Sequence, residues 1–322
     1  MGYMLKGVYH EGEDVSANLP SGEFERTKST VRNWITADGA PGPTGKGGFT
    51  PDKNRYHLFV AWNCPWAHRT LLTRTIKQLE EHISISVARP NRNEQGWIFD
   101  QSGEFSDPLY GFDAVHQVYS KDPIQYTGRI TVPVVWDKHL NCMVSNESAD
   151  IVRMLNTAFA DISPDTSDLY PRQYANEIDA WNETIYTKVN NGVYRAGFAS
   201  TQSAYEAAAK ELFENLDAID KHLATHRYLC GDAFTEADVR LFPTLARFDV
   251  AYHYAFKCNL KKLSDYQNLW PYAREIYQMD RVADTVRFDI YKRGYFSKSE
   301  KRNPLGIVPI GPIVNWDGPH SR

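Results

Sequence analysis

The 322 residues of this chain can bury a sizeable core and, at about 100 to 200 residues per domain, predict two domains. The formal net charge of -4 is small and the charges are interspersed, so the sequence lacks the basic surface typical of partners for nucleic acid. There is no run of 18 apolar residues and no apolar signal core near the N-terminus, which favours a cytoplasmic protein without a membrane partner.

The cysteines argue against a zinc site. Cys64, Cys142, Cys230 and Cys258 are far apart in sequence, and none forms the C-x-x-C or a similar spacing of metal ligands. So sparse a set indicates reduced thiols in a reducing compartment. Residues 40–48 fail as a phosphate-binding loop, because the first glycine and the Ser or Thr after the lysine are missing. We therefore expect neither a metal nor a nucleotide cofactor.

The first half of the chain predicts a mixed α/β unit. Residues 1–50 are polar and rich in Gly and Pro, which predicts an extended arm. An amphipathic helix at 66–81 lies between apolar strands at 56–61 and 83–87, a βαβ unit whose strands should be parallel.

Four further elements complete this half in the predicted order helix, strand, strand, helix. They are a short helix at 113–120, strands at 130–136 and 142–144 that could form a hairpin, and a helix from residue 145 to about 155. Pro133 requires an edge position or a cis bond, since proline cannot donate to a strand ladder.

Helical spacing takes over after a linker around residues 161–165. The predicted helices are 174–189, 203–225, 237–254 and 271–279. Thr235 and Asp238 form a capping-box pattern that predicts the start of the third of these helices. Residues 301–322 contain four prolines and predict an irregular tail.

Cys64 stands where the strand at 56–61 gives way to a helix, and Pro65 suits a first helical turn. The N–H groups and dipole of a helix N-terminus stabilise negative charge, and the thiolate is the nucleophilic form of cysteine. The position therefore favours a reactive thiol over an inert buried cysteine. Because the motif has no second cysteine, an external thiol such as glutathione must resolve any disulfide that Cys64 forms.

Several positions could bind glutathione. Glu147 and Ser148, at a predicted helix start, could hold its amine and carboxylate, or could be a plain helix cap. Val132 precedes a proline and could pair with the peptide backbone as an added strand does. Arg129 and Trp97 are less determined, and taken alone they are better explained as a surface charge and a core aromatic residue.

Longer motifs connect these residues to a known family. Cys64-Pro65-Trp66-Ala67-His68-Arg69, Val132-Pro133 and Ser145-Asn146-Glu147-Ser148 resemble the motifs of xi-class glutathione transferases, the glutathionyl-hydroquinone reductases. The resemblance spans nearly the whole chain and includes residues 96–99, 247–252, 256–259, 295–296 and 306–312.

The resemblance implies a fold of α/β plus all-α type. A thioredoxin-like, glutathione-binding domain is expected at 51–158 and an all-helical substrate domain at 165–298. An N-terminal extension at 1–50 and a C-terminal tail at 299–322 flank them. The family also suggests a homodimer.

The activity implied by the resemblance is reductive removal of glutathione from glutathionyl-hydroquinones. Cys64 would attack the glutathionyl sulfur, and a second glutathione would resolve the mixed disulfide to oxidised glutathione. By the resemblance, the glutathione site comprises Trp97, Arg129, Val132, Glu147 and Ser148, and the hydroquinone site comprises Tyr194, Tyr252 and Tyr295. Alternative hypotheses are a broader deglutathionylating thiol transferase and a non-catalytic scaffold of the same fold.

Overall fold

Two compact units make up the part of the chain that the structure, a computed structural model, describes: residues 2–12, 19–300 and 302–322. Within those ranges, the first unit comprises Met1–Val15 and Lys28–Ser167, and the second comprises Ser16–Thr27 and Asp168–Arg322. Met1, residues 13–18 and Lys301, which belong to the predicted N-terminal extension and tail, lie outside the described residues.

A four-stranded mixed sheet forms the centre of the first unit. In chain order the elements of this unit are β1 (Tyr3–Leu5), β2 (Val8–His10), β3 (Tyr56–Val60), α1 (Pro65–Ile76), β4 (Ile83–Val87), α2 (His116–Lys121), β5 (Gly128–Arg129), β6 (Val134–Asp137), β7 (Cys142–Ser145) and α3 (Ser148–Thr157). The strand order of the main sheet is β4-β3-β6-β7. β3 is parallel to β4 and antiparallel to β6, and β6 is antiparallel to β7. The predicted βαβ unit and hairpin are confirmed.

The apolar sequence of β3 explains its place in this sheet. Every residue of Tyr56–Val60 is buried, as expected of a strand that has a neighbour on each side and a packed layer on each face. The strand predicted over 130–136 is only partly correct, because β6 begins at Val134. The peptide bond between Val132 and Pro133 is cis, which is one of the two arrangements that the sequence allowed.

The prediction of an extended arm over residues 1–50 is wrong for its first part. β1 and β2 form a hairpin, and β1 also pairs with β5, which gives a second sheet in the order β2-β1-β5. Lys6 and Gly7 have φ angles of 48° and 77°, the backbone that a two-residue hairpin turn requires. Three-residue strands are too short to show an alternating pattern, so periodicity did not predict them.

The later part of the arm covers an edge of the main sheet. The N–H of Asn33 donates to the carbonyl of Val144 on β7, with 2.9 Å between N and O. Arg32 forms a bidentate ion pair with Asp150 in the first turn of α3, and both N–O distances are 2.7 Å. The arm therefore shields the open edge of β7 and is fixed to the start of α3.

The second unit is helical, as predicted. Its elements are 3₁₀ turns at Arg172–Tyr174, Leu263–Asp265 and Ala283–Thr285, α4 (Ala175–Thr184), a π-helix (Ile185–Asn190), α5 (Gly192–Phe198), α6 (Gln202–His222), α7 (Glu236–Arg247), a π-helix (Phe248–Tyr252), α8 (His253–Ala255), α9 (Leu269–Tyr277) and α10 (Phe288–Tyr295). The sequence did not predict the two π-helices, which interrupt the predicted helices 174–189 and 237–254. Such segments are rare and occur frequently at functional sites.

The predicted capping box at the start of α7 is present and lies at the centre of a buried network. The Asp238 carboxylate accepts hydrogen bonds from the N–H of Thr235 at 2.8 Å, the N–H of Leu229 at 3.1 Å and the hydroxyl of Tyr272 at 2.7 Å. Burial raises the pKa of Asp238 from 3.8 to about 6.

This raised pKa predicts a pH dependence of stability. The folded chain binds the Asp238 proton more tightly than the unfolded chain does. The contribution of Asp238 to the free energy of unfolding is therefore complete below pH 3.8 and declines as the pH rises towards 6. Urea unfolding over this pH range should show that decline in the wild type and not in Asp238→Asn. The exposed control Asp289→Asn should retain it, and equal slopes in all three proteins would contradict the prediction.

Candidate active site

Cys64 lies at the N-terminus of α1, as the sequence predicted. It is the capping residue, with extended backbone angles, and Pro65 follows at the first helical position. Its carbonyl accepts the N–H of His68 at 3.0 Å, which closes the first turn. The side chain is 8% exposed, and its thiol donates to the carbonyl of Val132, with 3.4 Å between Sγ and O. Two residues proposed from sequence, 68 positions apart, are therefore in direct contact.

The other three thiols lie in surroundings that disfavour ionisation. Burial raises the pKa of Cys142 and of Cys230 to about 11, and raises that of Cys258 further. These thiols stay protonated at neutral pH, so they are poor nucleophiles. Of the four cysteines, Cys64 is the one at a helix N-terminus.

Tyr119 on α2 holds the backbone of the loop that contacts Cys64, and no sequence pattern predicted this role. Its buried hydroxyl donates to the carbonyl of Thr131 at 2.8 Å and accepts the N–H of the same residue at 3.2 Å. The side-chain amide of Asn146 donates to the same hydroxyl at 3.3 Å. One phenol therefore links the loop that carries Val132 to the turn that precedes α3.

Glu147 and Ser148 are at the start of α3, where the sequence placed them. The Glu147 carboxylate accepts the N–H of Ala149 at 3.1 Å, and the hydroxyl of Ser145 accepts the N–H of Glu147 at 3.1 Å. Ser148 is buried, at 3% exposure. Glu147 therefore does cap the N-terminus of α3, as one of the two interpretations of the sequence proposed. The partly exposed carboxylate keeps further acceptor capacity, so capping does not prevent it from binding a ligand.

Trp97 and Arg129 lie on different segments of the first unit, Trp97 between β4 and α2 and Arg129 on β5. Trp97 is buried in the core at 4% exposure, and the guanidinium carbon of Arg92 lies 3.8 Å from the centroid of its ring system. Arg129 is on β5, paired with β1, and its carbonyl accepts the hydroxyl of Tyr126 at 2.9 Å. Trp97 therefore packs as a core aromatic residue, which was one of the two interpretations of its sequence position. A role in ligand binding stays a prediction for both Trp97 and Arg129.

The three tyrosines named from the resemblance form one hydrogen-bonded cluster in the second unit. The hydroxyl of Tyr295 on α10 is 2.9 Å from that of Tyr194 on α5 and 3.0 Å from that of Tyr252 at the end of the second π-helix. Burial raises the pKa of Tyr252 and of Tyr295 well above the ordinary value, so both are neutral phenols at pH 7. The hydroxyls of the cluster can donate hydrogen bonds to an oxygen of a bound ligand and can accept them from a ligand hydroxyl.

An arginine from the N-terminal arm also belongs to this cluster. The guanidinium carbon of Arg26 lies 4.6 Å from the centroid of the Tyr194 ring, and its Nε donates to the side-chain oxygen of Asn191 at 2.7 Å. A cation over an aromatic face is attracted by the electrons of the ring. The contact joins residues about 170 positions apart, so no local pattern could have predicted it.

Two further properties bear on cofactors and partners. Among the residues that the structure describes, no group of three or more His, Cys, Asp and Glu side chains could hold a metal ion. Within the same described ranges, no helix has the length and apolar character that a membrane span needs.

Family models match both units. The model for the N-terminal domain of glutathione S-transferases matches residues 63–158, and the model for the C-terminal domain of glutathione S-transferases matches residues 202–275.

Relatives match along the whole chain. The glutathionyl-hydroquinone reductase YqjG of Escherichia coli is 48% identical over 100% of this chain and 98% of its own length. The glutathionyl-hydroquinone reductase PcpF of Sphingobium chlorophenolicum is 42% identical, with coverage of 99% and 98%.

Solved structures share the fold. The glutathione-bound structure of Escherichia coli YqjG has a TM-score of 0.91 and 47% identity, covering 100% of this chain and 99% of that one. A xi-class glutathione transferase from Natrialba magadii has a TM-score of 0.90 and 41% identity, covering 100% and 96%. The predicted thioredoxin-like and all-helical architecture is confirmed, and the chain belongs to the xi-class glutathione transferases, the family of the glutathionyl-hydroquinone reductases.

Proposed function

We propose that this enzyme reduces glutathionyl-hydroquinones with glutathione. The Cys64 thiolate attacks the sulfur that joins glutathione to the aromatic ring, the carbon–sulfur bond breaks, and a Cys64–glutathione disulfide forms. The released ring takes the electron pair and a proton and becomes the free hydroquinone. A second glutathione thiolate then attacks the mixed disulfide, which gives oxidised glutathione and regenerates Cys64. Two glutathionyl sulfurs are oxidised and the aromatic carbon is reduced, so the step balances without a metal or nucleotide.

The observation that carries this proposal is the placement of Cys64. Its thiol is at a helix N-terminus and in contact with the carbonyl of Val132. Two relatives of the chain, each matched over 98% of its own length, are named glutathionyl-hydroquinone reductases. The N–H groups at the start of α1 can stabilise negative charge on the sulfur during attack, and the motif has no second cysteine. This arrangement suits attack on a glutathionyl sulfur followed by resolution from outside.

The glutathione that is attacked is proposed to be held by residues of the first unit. Val132 offers backbone groups to the peptide of glutathione, and the start of α3 offers the Glu147 carboxylate to its amine and the Ser148 donors to its carboxylate. Trp97 and Arg129 complete the proposed site. The relative whose structure contains bound glutathione supports glutathione as the co-substrate.

The hydroquinone is proposed to bind at Tyr194, Tyr252 and Tyr295. As the ring leaves, negative charge develops on its oxygen, and a phenol that donates a hydrogen bond there stabilises the transition state more than the ground state. The linked hydroxyls can also pass a proton along the cluster.

The compartment is proposed on chemical grounds, and the assembly is proposed on the resemblance to the family. The reaction consumes reduced glutathione, and all four cysteines are free thiols, which suits the cytoplasm. We propose a homodimer, as the resemblance to the family suggested.

The reaction can be tested by product analysis. With a glutathionyl-hydroquinone and glutathione, the wild type should release hydroquinone and oxidised glutathione in equal amounts. Cys64→Ser should lose at least about a hundredfold in rate, because an alcohol cannot form the mixed disulfide. Intact mass after exposure to oxidised glutathione should show one adduct in the wild type and none in Cys64→Ser, whereas Cys142→Ser should behave as the wild type.

The same experiment separates the alternatives. Equal or faster turnover of small glutathione disulfides would favour a broader thiol transferase. A wild type without any adduct would favour a scaffold and contradict the proposal.

Removing the Tyr119 hydroxyl should weaken glutathione binding. Tyr119→Phe deletes hydrogen bonds to Thr131 and Asn146, which at about 1 kcal/mol each should raise the KM for glutathione roughly fivefold or more. The kcat at saturating glutathione should change less, because Cys64 stays in place. Tyr110→Phe is the matched control, since its hydroxyl bonds Asn141 and Trp136 in the same unit. An unchanged KM in Tyr119→Phe, or an equal rise in both variants, would contradict this role.

Removing the central hydroxyl of the tyrosine cluster, that of Tyr295, should slow the release of the hydroquinone. Tyr295→Phe deletes both hydroxyl–hydroxyl contacts and should lower kcat for the glutathionyl-hydroquinone by about 10- to 100-fold. The rate at which oxidised glutathione modifies Cys64 should not change. The exposed Tyr254 gives the control Tyr254→Phe. A loss in both measured rates would argue against a specific role in hydroquinone release.

A further inference from the structure

Arg247 is a fully buried cation that no step above has used. It ends α7 and has 0% exposure. Its Nη1 donates to the carbonyl of Pro243 at 2.7 Å, and its guanidinium carbon lies 3.8 Å from the centroid of the Tyr291 ring. Burying a positive charge is costly, so a position of this kind needs compensation from its surroundings.

Its surroundings belong to the two elements that carry the tyrosine cluster. Tyr291 and Tyr295 are four residues apart on α10, which places them on one face of that helix. Arg247 and Tyr252 span one turn of the π-helix, whose hydrogen bonds join residues five apart. The guanidinium is thus packed against Tyr291, one helical turn from Tyr295, and its own residue precedes Tyr252 by one turn of the π-helix.

The charge acts on both phenols. Burial raises the pKa of Tyr252 and of Tyr295, and the positive charge of Arg247 opposes that rise in each case. At a buried site with a low effective dielectric constant, a cation within several ångströms stabilises a phenolate much more than it would in water.

We propose that Arg247 is a positioning residue that lets the Tyr194, Tyr252 and Tyr295 cluster bear negative charge while the hydroquinone leaves. The inference rests on the proposed function and extends it. The carbon that bears the sulfur first takes up the proton of a ring hydroxyl, which gives the keto tautomer of the substrate. When the carbon–sulfur bond then breaks, the electron pair restores the aromatic ring and leaves negative charge on that oxygen, which accepts a hydrogen bond from a cluster hydroxyl and finally takes up a proton. The hydrogen bond draws part of the negative charge onto the tyrosine oxygen, and the buried guanidinium stabilises it. The cluster should accordingly favour aromatic ligands that are themselves anionic or readily become so.

Binding of two phenols to the full chain tests this without turnover. The probes are an ionised halogenated phenol and an unsubstituted phenol that is neutral at the same pH. In Arg247→Gln, which keeps a donor for the Pro243 carbonyl, the Kd for the ionised phenol should rise about tenfold, while the Kd for the neutral phenol should not change. Arg247→Lys keeps the charge and should retain most of the preference for the ionised phenol.

The controls separate a charge effect from a packing effect. Arg274 lies 5.0 Å from the Trp270 ring centroid in the same unit, so Arg274→Gln removes a stacked arginine outside the cluster and should alter neither Kd. If Arg247→Gln unfolds, Arg247→Lys is compared with the wild type instead. Loss of the preference for the ionised phenol in Arg247→Lys would overturn the proposed role of the positive charge. Equal weakening of both phenols by Arg247→Gln also overturns it.

Kinetics with the glutathionyl-hydroquinone distinguish this inference from the function on which it rests. Arg247→Gln should lower kcat about tenfold and leave glutathione adduct formation at Cys64 unchanged. A wild type that does not turn over the substrate would refute the proposed function. If the wild type turns over the substrate, and Arg247→Gln leaves both kcat and the preference for the ionised phenol unchanged, only the inference about Arg247 is refuted.

Discussion

The contact between Cys64 and the carbonyl of Val132 is the interaction on which the proposed site depends, because it links a thiol at a helix N-terminus to the residue proposed to pair with the glutathione backbone. The 3.4 Å contact brings the start of α1 against the loop that precedes β6. The Tyr119 hydroxyl fixes the same loop through Thr131 and reaches the turn before α3 through Asn146. The thiol and the proposed glutathione anchors are thus parts of one hydrogen-bonded arrangement. A side chain that touches no substrate can affect binding by holding this arrangement.

The N-terminal arm also holds part of this arrangement in place. Its backbone pairs with β7, and Arg32 forms an ion pair with Asp150 in the first turn of α3. Asp150 is almost fully buried, so the pair is less exposed to screening than an ordinary surface salt bridge. The arm thereby covers a strand edge that would otherwise be open to pairing with another chain, and it steadies the helix start that carries Glu147 and Ser148.

In the second unit, buried polar groups are placed where packing alone would favour apolar side chains. The cluster of Tyr194, Tyr252 and Tyr295 is satisfied internally by hydroxyl–hydroxyl bonds, which keeps three phenols tolerable in an apolar setting. Arg26 contacts the face of Tyr194, and Arg247 is packed beside the helices that carry the other two. Neutral phenols with positive charge nearby form an environment prepared for negative charge that develops only during reaction.

The sequence by itself determined the order of the main elements, the position of Cys64 at a helix N-terminus and the family. Periodicity identifies strands and helices because a residue repeat of two or of about 3.6 reflects which face is buried, and the strand-to-helix junction at Cys64 is a local feature. The resemblance to the family then predicted a shared site for residues as far apart in sequence as Tyr194 and Tyr295, but it did not predict the contacts between them. The short hairpin of β1 and β2, the π-helices, and the roles of Tyr119, Arg26 and Arg247 were decided only by the tertiary structure. Each depends on contacts between segments far apart in the chain, and neither hydrophobic period nor local propensity carries information about such contacts.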